Sequence, residues 1–291
     1  MPSIGWLALF FVAPLAIVFA YSFGVNVSYT EVSLWETWSN YERIAVPSIT
    51  TLMVRSLWLS LGATAICLLI GFPVALVIAT APARWKPWLL LVVILPFWTN
   101  LLIRTYALLS ILAARGPLNN AIGWLHGVAD GALTAVGLPD LLDDRYRPIR
   151  FLGEESGVLL GLVYVALPFT VLPIYAALER LDRSLLEASM DLGAGQLRTF
   201  FLVLVPLTTA GIVTASIITF IPTLGSFITP DLLGRGQVDM ISNVIERQFK
   251  KANDWPFGSA LSLVLLYATF AVLALQAWAS ARSRRLRETR A

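Results

Sequence analysis

With 291 residues, of which 57% are hydrophobic and only 13% charged, and with a formal net charge of +3, the chain is greasier than soluble domains, where roughly half of the residues are apolar and about a quarter charged. That composition excludes a water-soluble protein. One cysteine, Cys67, excludes an internal disulfide, and one histidine, His126, excludes a histidine-rich metal site, so no metal site is expected.

Segments free of Asp, Glu, Lys and Arg cover residues 4–23, 56–83, 87–103, 156–178, 199–230 and 255–281. Each reaches or approaches the roughly 20 residues, at about 1.5 Å of rise each, that cross a hydrocarbon core about 30 Å thick. Backbone N–H and C=O groups find no water in lipid, which leaves helices or closed barrels, and these continuous apolar runs lack the alternation of barrel strands. The predicted fold is all-α: a polytopic membrane bundle of six transmembrane helices forming a single domain over residues 1–291. The spans are expected near 4–24, 56–83, 87–114, 156–178, 202–229 and 255–281, with a cytoplasmic loop at 179–201.

The first run lacks a basic leader and a small-residue cleavage site before residues 21–26, so it is expected to be a retained helix rather than a signal peptide. Cys67, inside the second run, is expected to be a small buried apolar residue. Arg104 interrupts the third predicted span about 26 Å along the helix from Pro87, near the outer interface. There it is expected to snorkel, avoiding most of the roughly 2.5–3.5 kcal/mol cost of a midplane charge. It reads as an anchor or as a gate, and it would repel a cationic solute. Residues 115–155 are expected to form an external, partly helical loop, with His126 in a loop, although 121–138 resembles a weak span. A true crossing there would invert everything after it. Tyr164 lies in the fourth run. In the fifth, Pro222 removes a helical hydrogen bond and Gly225 allows close packing, so a kink or break is expected near Pro222, either as a solute path or as a feature of packing.

Residues 1–3, 84–86, 179–198 and 282–291 carry ten Lys and Arg against five Asp and Glu in 36 positions, whereas 24–55, 115–155 and 231–254 carry ten against thirteen in 97. Basic density is about 2.7-fold higher on the first side, which makes it cytoplasmic by the positive-inside rule. Both termini are then expected in the cytoplasm. The arginines at 282, 284, 285, 287 and 290 abut the last span and suit anionic head groups of membrane lipid rather than nucleic acid.

Between the fourth and fifth runs stands a charged island, residues 178–198. Leu181, Leu185, Leu186 and Leu192 recur at roughly helical spacing, which predicts an amphipathic helix at the interface. Gly193 and Gly195 mark its end, and Pro206 fits the first turn of the next span. Ala188 and Ser189 are small enough for close approach by another protein, and Glu187 and Asp191 lie one turn apart, facing basic or N–H donors. Such a helix is either a docking surface or simple loop packing.

Glu187, Ala188, Ser189, then Gly193, Val203, Val205 and Pro206 resemble the EAA loop of binding-protein-dependent ABC importer permeases. That pattern is Glu-Ala-Ala, three residues, Gly, nine residues, Ile, one residue, Leu, Pro; here Ser189 and two valines depart from it modestly. Pro96-Phe97-Trp98-Thr99-Asn100, Arg104-Thr105-Tyr106, Gly116-Pro117-Leu118-Asn119, Gly137-Leu138, Pro222-Thr223-Leu224-Gly225-Ser226-Phe227 and Asp231-Leu232-Leu233-Gly234 are similar to the spermidine/putrescine permease subgroup. Relatives for ferric iron, phosphonates, opines or amino-acid-like solutes share the frame. The resemblance implies an importer half in a bacterial inner membrane. Its expected partners are a second homologous permease chain, two cytoplasmic ATPases and a periplasmic or extracellular solute-binding protein. Glu187, Ala188, Ser189, Asp191, Leu192 and Gly193 would couple nucleotide-driven closure to opening of the pathway.

This chain is expected to bind no cofactor and to catalyse nothing, ATP and magnesium belonging to the ATPases. It has no G-x-x-x-x-G-K-[ST] phosphate loop and only three lysines. Trp98, Tyr106 and Tyr164 offer faces to an ammonium group or sit in interfacial belts; with Pro222, Gly225 and Phe227 they are the candidate pathway residues. Asp231, Glu154 and Glu155 are candidates for binding-protein contact. A secondary carrier would need an intramembrane acid or histidine, or an internal repeat, and an intramembrane enzyme an H-E-x-x-H or G-x-S-x-G motif; none is found.

Overall fold

The computed structural model describes residues 5–6, 8–28, 31–135, 146–182 and 184–288. The predicted features at residues 1–4, at Gly137 and Leu138, and at Arg290 lie outside the described residues. Among the described residues the chain is helical apart from turns and one two-residue antiparallel pair, Val25–Asn26 with Val32–Ser33. Pro47–Thr80, Glu155–Glu179 and Trp255–Gln276 are each long and apolar enough to cross a membrane, and Ala8–Ser22 is a shorter apolar helix. Two further apolar segments are bent pairs: Lys86–Trp98 meets Leu101–Ile111 at 97°, and Gln196–Leu207 meets Thr209–Leu224 at 67°.

Three helices form the centre. Val46 is extended, as a residue before proline prefers, and Pro47 opens the first helix where its missing N–H does no harm. Pro47–Thr80 and Glu155–Glu179 run parallel: Arg55 pairs with Glu155 at 3.0 Å, the Cys67 thiol reaches the Val163 carbonyl at 3.5 Å, and Gly71 faces Thr170. Thr209–Leu224 runs antiparallel to them, with the Thr170 and Thr219 hydroxyls 2.7 Å apart. In lipid, close backbone approach and buried hydroxyl pairs hold helices together, because apolar burial favours no particular partner. Gly211 shows how close: a Cβ there would sit 2.4 Å from the Ala177 Cβ and 3.0 Å from the Pro173 carbonyl. Cys67 is wholly buried.

Local chemistry explains both bends. At the first, Thr99 is extended and the Asn100 side chain caps the next helix by accepting from the Leu102 N–H at 2.8 Å. At the second, Pro206 has no N–H to donate, and hydroxyls take up freed carbonyls, Thr208 reaching Leu204 at 2.8 Å and Thr209 reaching Pro206 at 2.7 Å. The straight count that put Arg104 at an outer interface therefore fails. Arg104 lies beyond a 97° turn and is 7% exposed, so it is buried and does not snorkel.

His126 also departs from expectation, lying within the helix Pro117–Ala135 rather than in a loop. Gly123 in this helix leaves room for the Tyr146 ring, and Asn119 fastens the helix by donating to the Ala113 and Ile149 carbonyls at 3.1 and 3.0 Å. This helix is not among those long and apolar enough to cross a membrane.

Candidate functional site

The charged island lies at the end of the central helices marked by Glu179. Lys86 clamps Glu179 there, its Nζ donating to both carboxylate oxygens at 2.8 Å. Asp182 caps the following helix, Ser184–Asp191, by accepting from the Ser184 N–H at 3.0 Å. Bonding from the Ser184 backbone and then from its side chain holds the exposed Asp182 carboxyl below its usual range. Leu181 and Leu186 pack against the buried cluster that includes Phe72, Ile78, Ile174 and Leu178. Leu185 and Leu192 do not: they are 47% and 89% exposed, so only two of the four periodic leucines anchor the helix. At its end Gly193 takes φ +84°, its N–H donating to Met190 at 2.9 Å while the Ala194 N–H reaches Ser189 at 3.2 Å. This is a glycine-terminated helix end. The Ser189 hydroxyl lies 3.1 Å from that of Thr199, closing the loop onto the next helix.

One face is thus bolted to the bundle and the other is bare. Glu187, Ala188, Asp191, Leu192 and Gly193 are all exposed, and Ser189 is half-buried at the hinge. Two carboxylates and an almost fully exposed leucine give a small ledge with both charge and apolar surface.

The second site is a broken helix. Thr209–Leu224 passes through Pro222 and stops, and the chain turns at Gly225 to Phe227 before Ile228–Gly234. Neighbouring side chains satisfy the freed carbonyls: the Ser242 hydroxyl donates to Ser226 at 2.5 Å and the Asn243 amide to Phe227 at 2.8 Å. Irregular backbone within a membrane is stable only when protein or water supplies such partners. Two cavities, each about 460 Å³, share Gly225 and Phe227. Leu224, Ile245 and Leu265 line one, with Lys250 and Glu246 also in its wall. The other is walled by Phe97, Thr99, Arg104, Phe169, Pro222 and Ser226.

Pro222, Gly225 and Phe227 therefore share a cavity wall. Trp98, Tyr106 and Tyr164 lie on the surface, 75%, 56% and 40% exposed, and among the described residues no ring contact joins them. The aromatic pair in the wall is Phe97 with Phe169, ring centres 5.2 Å apart and nearly perpendicular. Phe97 stood in the quoted Pro96 to Asn100 stretch, but nothing in the sequence paired it with a residue 72 positions on.

The candidate acids lie at the other end. The Gly153 N–H donates to the Leu233 carbonyl at 2.8 Å, bringing the start of Glu155–Glu179 against the helix that carries Asp231. Glu154, Glu155 and Asp231 are all exposed there, Glu155 in its ion pair with Arg55. Among the described residues no group of three His, Cys, Asp or Glu side chains is placed to hold a metal ion.

No family model matches the chain. It is 39% identical over 262 residues to the spermidine/putrescine transport system permease protein PotB of Escherichia coli (strain K12), covering 90% of this chain and 89% of that one. It is 33% identical over 235 residues to the inner membrane ABC transporter permease protein YdcU of the same organism, covering 78% and 71%. Among solved structures, it superposes on a chain of the bacterial alginate ABC transporter in complex with alginate pentasaccharide-bound periplasmic protein. That match has a TM-score of 0.65 at 17% identity and covers 97% of this chain and 92% of the other; it speaks for the fold.

Proposed function

Since the chain belongs to the permease family of ABC transporters, among the spermidine/putrescine permeases, we propose that it forms half of the pathway through which an ATP-driven importer moves a polyamine across a bacterial inner membrane. The other half is a second, homologous permease chain. Two cytoplasmic ATPases hydrolyse ATP, and an external binding protein delivers the solute. On this reading the chain is one membrane domain with six spans, bent segments counted as single spans, and both termini face the cytoplasm.

The observation that carries this reading is the exposed ledge from Glu187 to Gly193, fastened to the bundle by Leu181, Leu186 and the Lys86–Glu179 clamp. A short helix with one face bolted down and the other bare transmits a push from a partner to the helices behind it. The break at Gly225 to Phe227 stands at the solute path, and the acids at Glu154, Glu155 and Asp231 face the binding protein. The 39% identity to a spermidine/putrescine permease supports the solute class.

The test is reconstitution of this chain in vesicles with its permease partner, the ATPases and the solute-loaded binding protein. Spermidine accumulation should require ATP and stop when either ATPase or binding protein is left out. Accumulation without them would replace the importer with a carrier.

A further inference from the structure

Arg104 carries a charge that nothing among the described residues answers. Its side chain is 7% exposed, and Nε and Nη1 have no hydrogen-bond partner among the described residues. The described ion pairs engage Arg43, Arg55, Lys86, Arg247 and Lys250, and Glu246, in the adjoining cavity, is held by Lys250 at 3.1 Å. A guanidinium stays protonated at any pH a cell meets, so it cannot shed its charge as a buried lysine does. The Phe97 ring, 6.0 Å from the guanidinium carbon, offers a weak attraction and no acceptor. A buried charge is tolerated when it is paired, and the forked guanidinium suits a carboxylate.

The surroundings say where that carboxylate comes from. Arg104 lines the cavity of about 460 Å³ whose wall is otherwise mostly apolar, and nearby Trp98, Ile103 and Tyr106 are 75%, 68% and 56% exposed, leaving an uncovered apolar surface. A polyamine is a cation and cannot serve as the counter-ion; beside an unpaired guanidinium it would be repelled. Resting on the importer-half reading above, we propose that a carboxylate of the second permease chain enters this cavity and pairs with Arg104, sealing the two halves together beside the broken helix. The pair leaves the wall electrically neutral, so the path stays open to a cation.

The test uses the whole importer, purified through a tag on the second permease chain, with recovery of this chain as the readout. Arg104→Glu should lower recovery by about tenfold or more, since it sets two buried carboxylates against each other, and Arg104→Lys should lower it less. Each Asp and Glu in the membrane segments of the second chain is then changed to Arg in the Arg104→Glu background. One reversal should restore recovery to within about twofold of wild type, which a misfolded variant could not do. Normal recovery of Arg104→Glu, or no rescue by any reversed acid, overturns the proposal. Retained recovery of Arg104→Gln with selective loss of uptake of a carboxylated solute such as glutamate also overturns it, assigning the guanidinium to cargo. Solute identity is measured separately, by competition for the isolated binding protein. Absence of polyamine binding there would remove the solute from the functional reading and leave the recovery assay untouched.

Discussion

Gly193, at φ +84°, takes a conformation that costs an L-residue roughly 1–2 kcal/mol and that proline's locked φ near −65° forbids. Gly193→Pro also removes the N–H that donates to Met190. The turn should come undone while the bundle, which makes no contact within 4 Å of a Cβ at Gly193, still inserts. Uptake is expected to fall to background with normal amounts of protein in the membrane. Glu187→Lys reverses a charge on the bare face and should cut uptake on the order of 100-fold through lost ATPase association. Wild-type uptake by both variants would reduce the ledge to loop packing. Asp231 is exposed, so its neutralisation should do less. Asp231→Asn should weaken association of the loaded binding protein by roughly 2- to 5-fold, and less at high salt; an unchanged binding curve would remove that role. The spacing of Glu187 and Gly193 marks them in the sequence as part of a motif, whereas Asp231 stands out there only as an acid at the end of an apolar run. Arg104 was legible as a charge in a greasy run, but its burial was not, since burial depends on a turn five residues earlier.

The bends hold the most information about the helices. Composition locates apolar segments well, because a residue's charge is local. It does not show that 87–111 turns by 97° at Asn100 or that the Gln196–Leu224 stretch turns by 67° at Thr208. A kink or break was expected near Pro222; the helix continues through Pro222 and stops two residues later, at Leu224. Neighbours decide: a break forms where Asn100, Thr208, Ser242 or Asn243 is at hand to take a freed backbone group. The central packing gives a sharper test. Gly211 meets the Pro173 backbone, which cannot yield, whereas a Cβ at Gly225 would meet nothing closer than 3.7 Å. Gly211→Leu should lower Tm in detergent by roughly 2–10 °C, from about 1–3 kcal/mol of overpacking. Gly225→Ala should leave Tm within about 1 °C of wild type, its added methyl fitting without overpacking. Equal Tm values would show that the Thr209–Leu224 helix does not sit against Glu155–Glu179 as described.

For the molecule as a whole, the bias of basic residues predicts which side faces the cytoplasm, and the single cysteine makes that measurable. Cys67 is wholly buried, so a cysteine placed at the 89% exposed Leu192 is the one reactive thiol. Leu192→Cys should react with a membrane-impermeant maleimide in inside-out vesicles and not in right-side-out ones. Reaction from the outside would invert the molecule and detach the ledge from any cytoplasmic ATPase. The sequence by itself determined the helical class, the apolar segments, the motif of the ledge and its permease kinship, because hydrophobicity, charge and residue spacing are properties of neighbours along the chain. Only the tertiary structure decided that Leu181 and Leu186 anchor the ledge while Leu185 and Leu192 stay bare, that Phe97 meets Phe169, and that Arg104 is buried without a counter-charge among the described residues. Each of those facts is a contact, or a missing contact, between groups far apart in sequence, set by bends whose angles depend on which side chains lie across the gap.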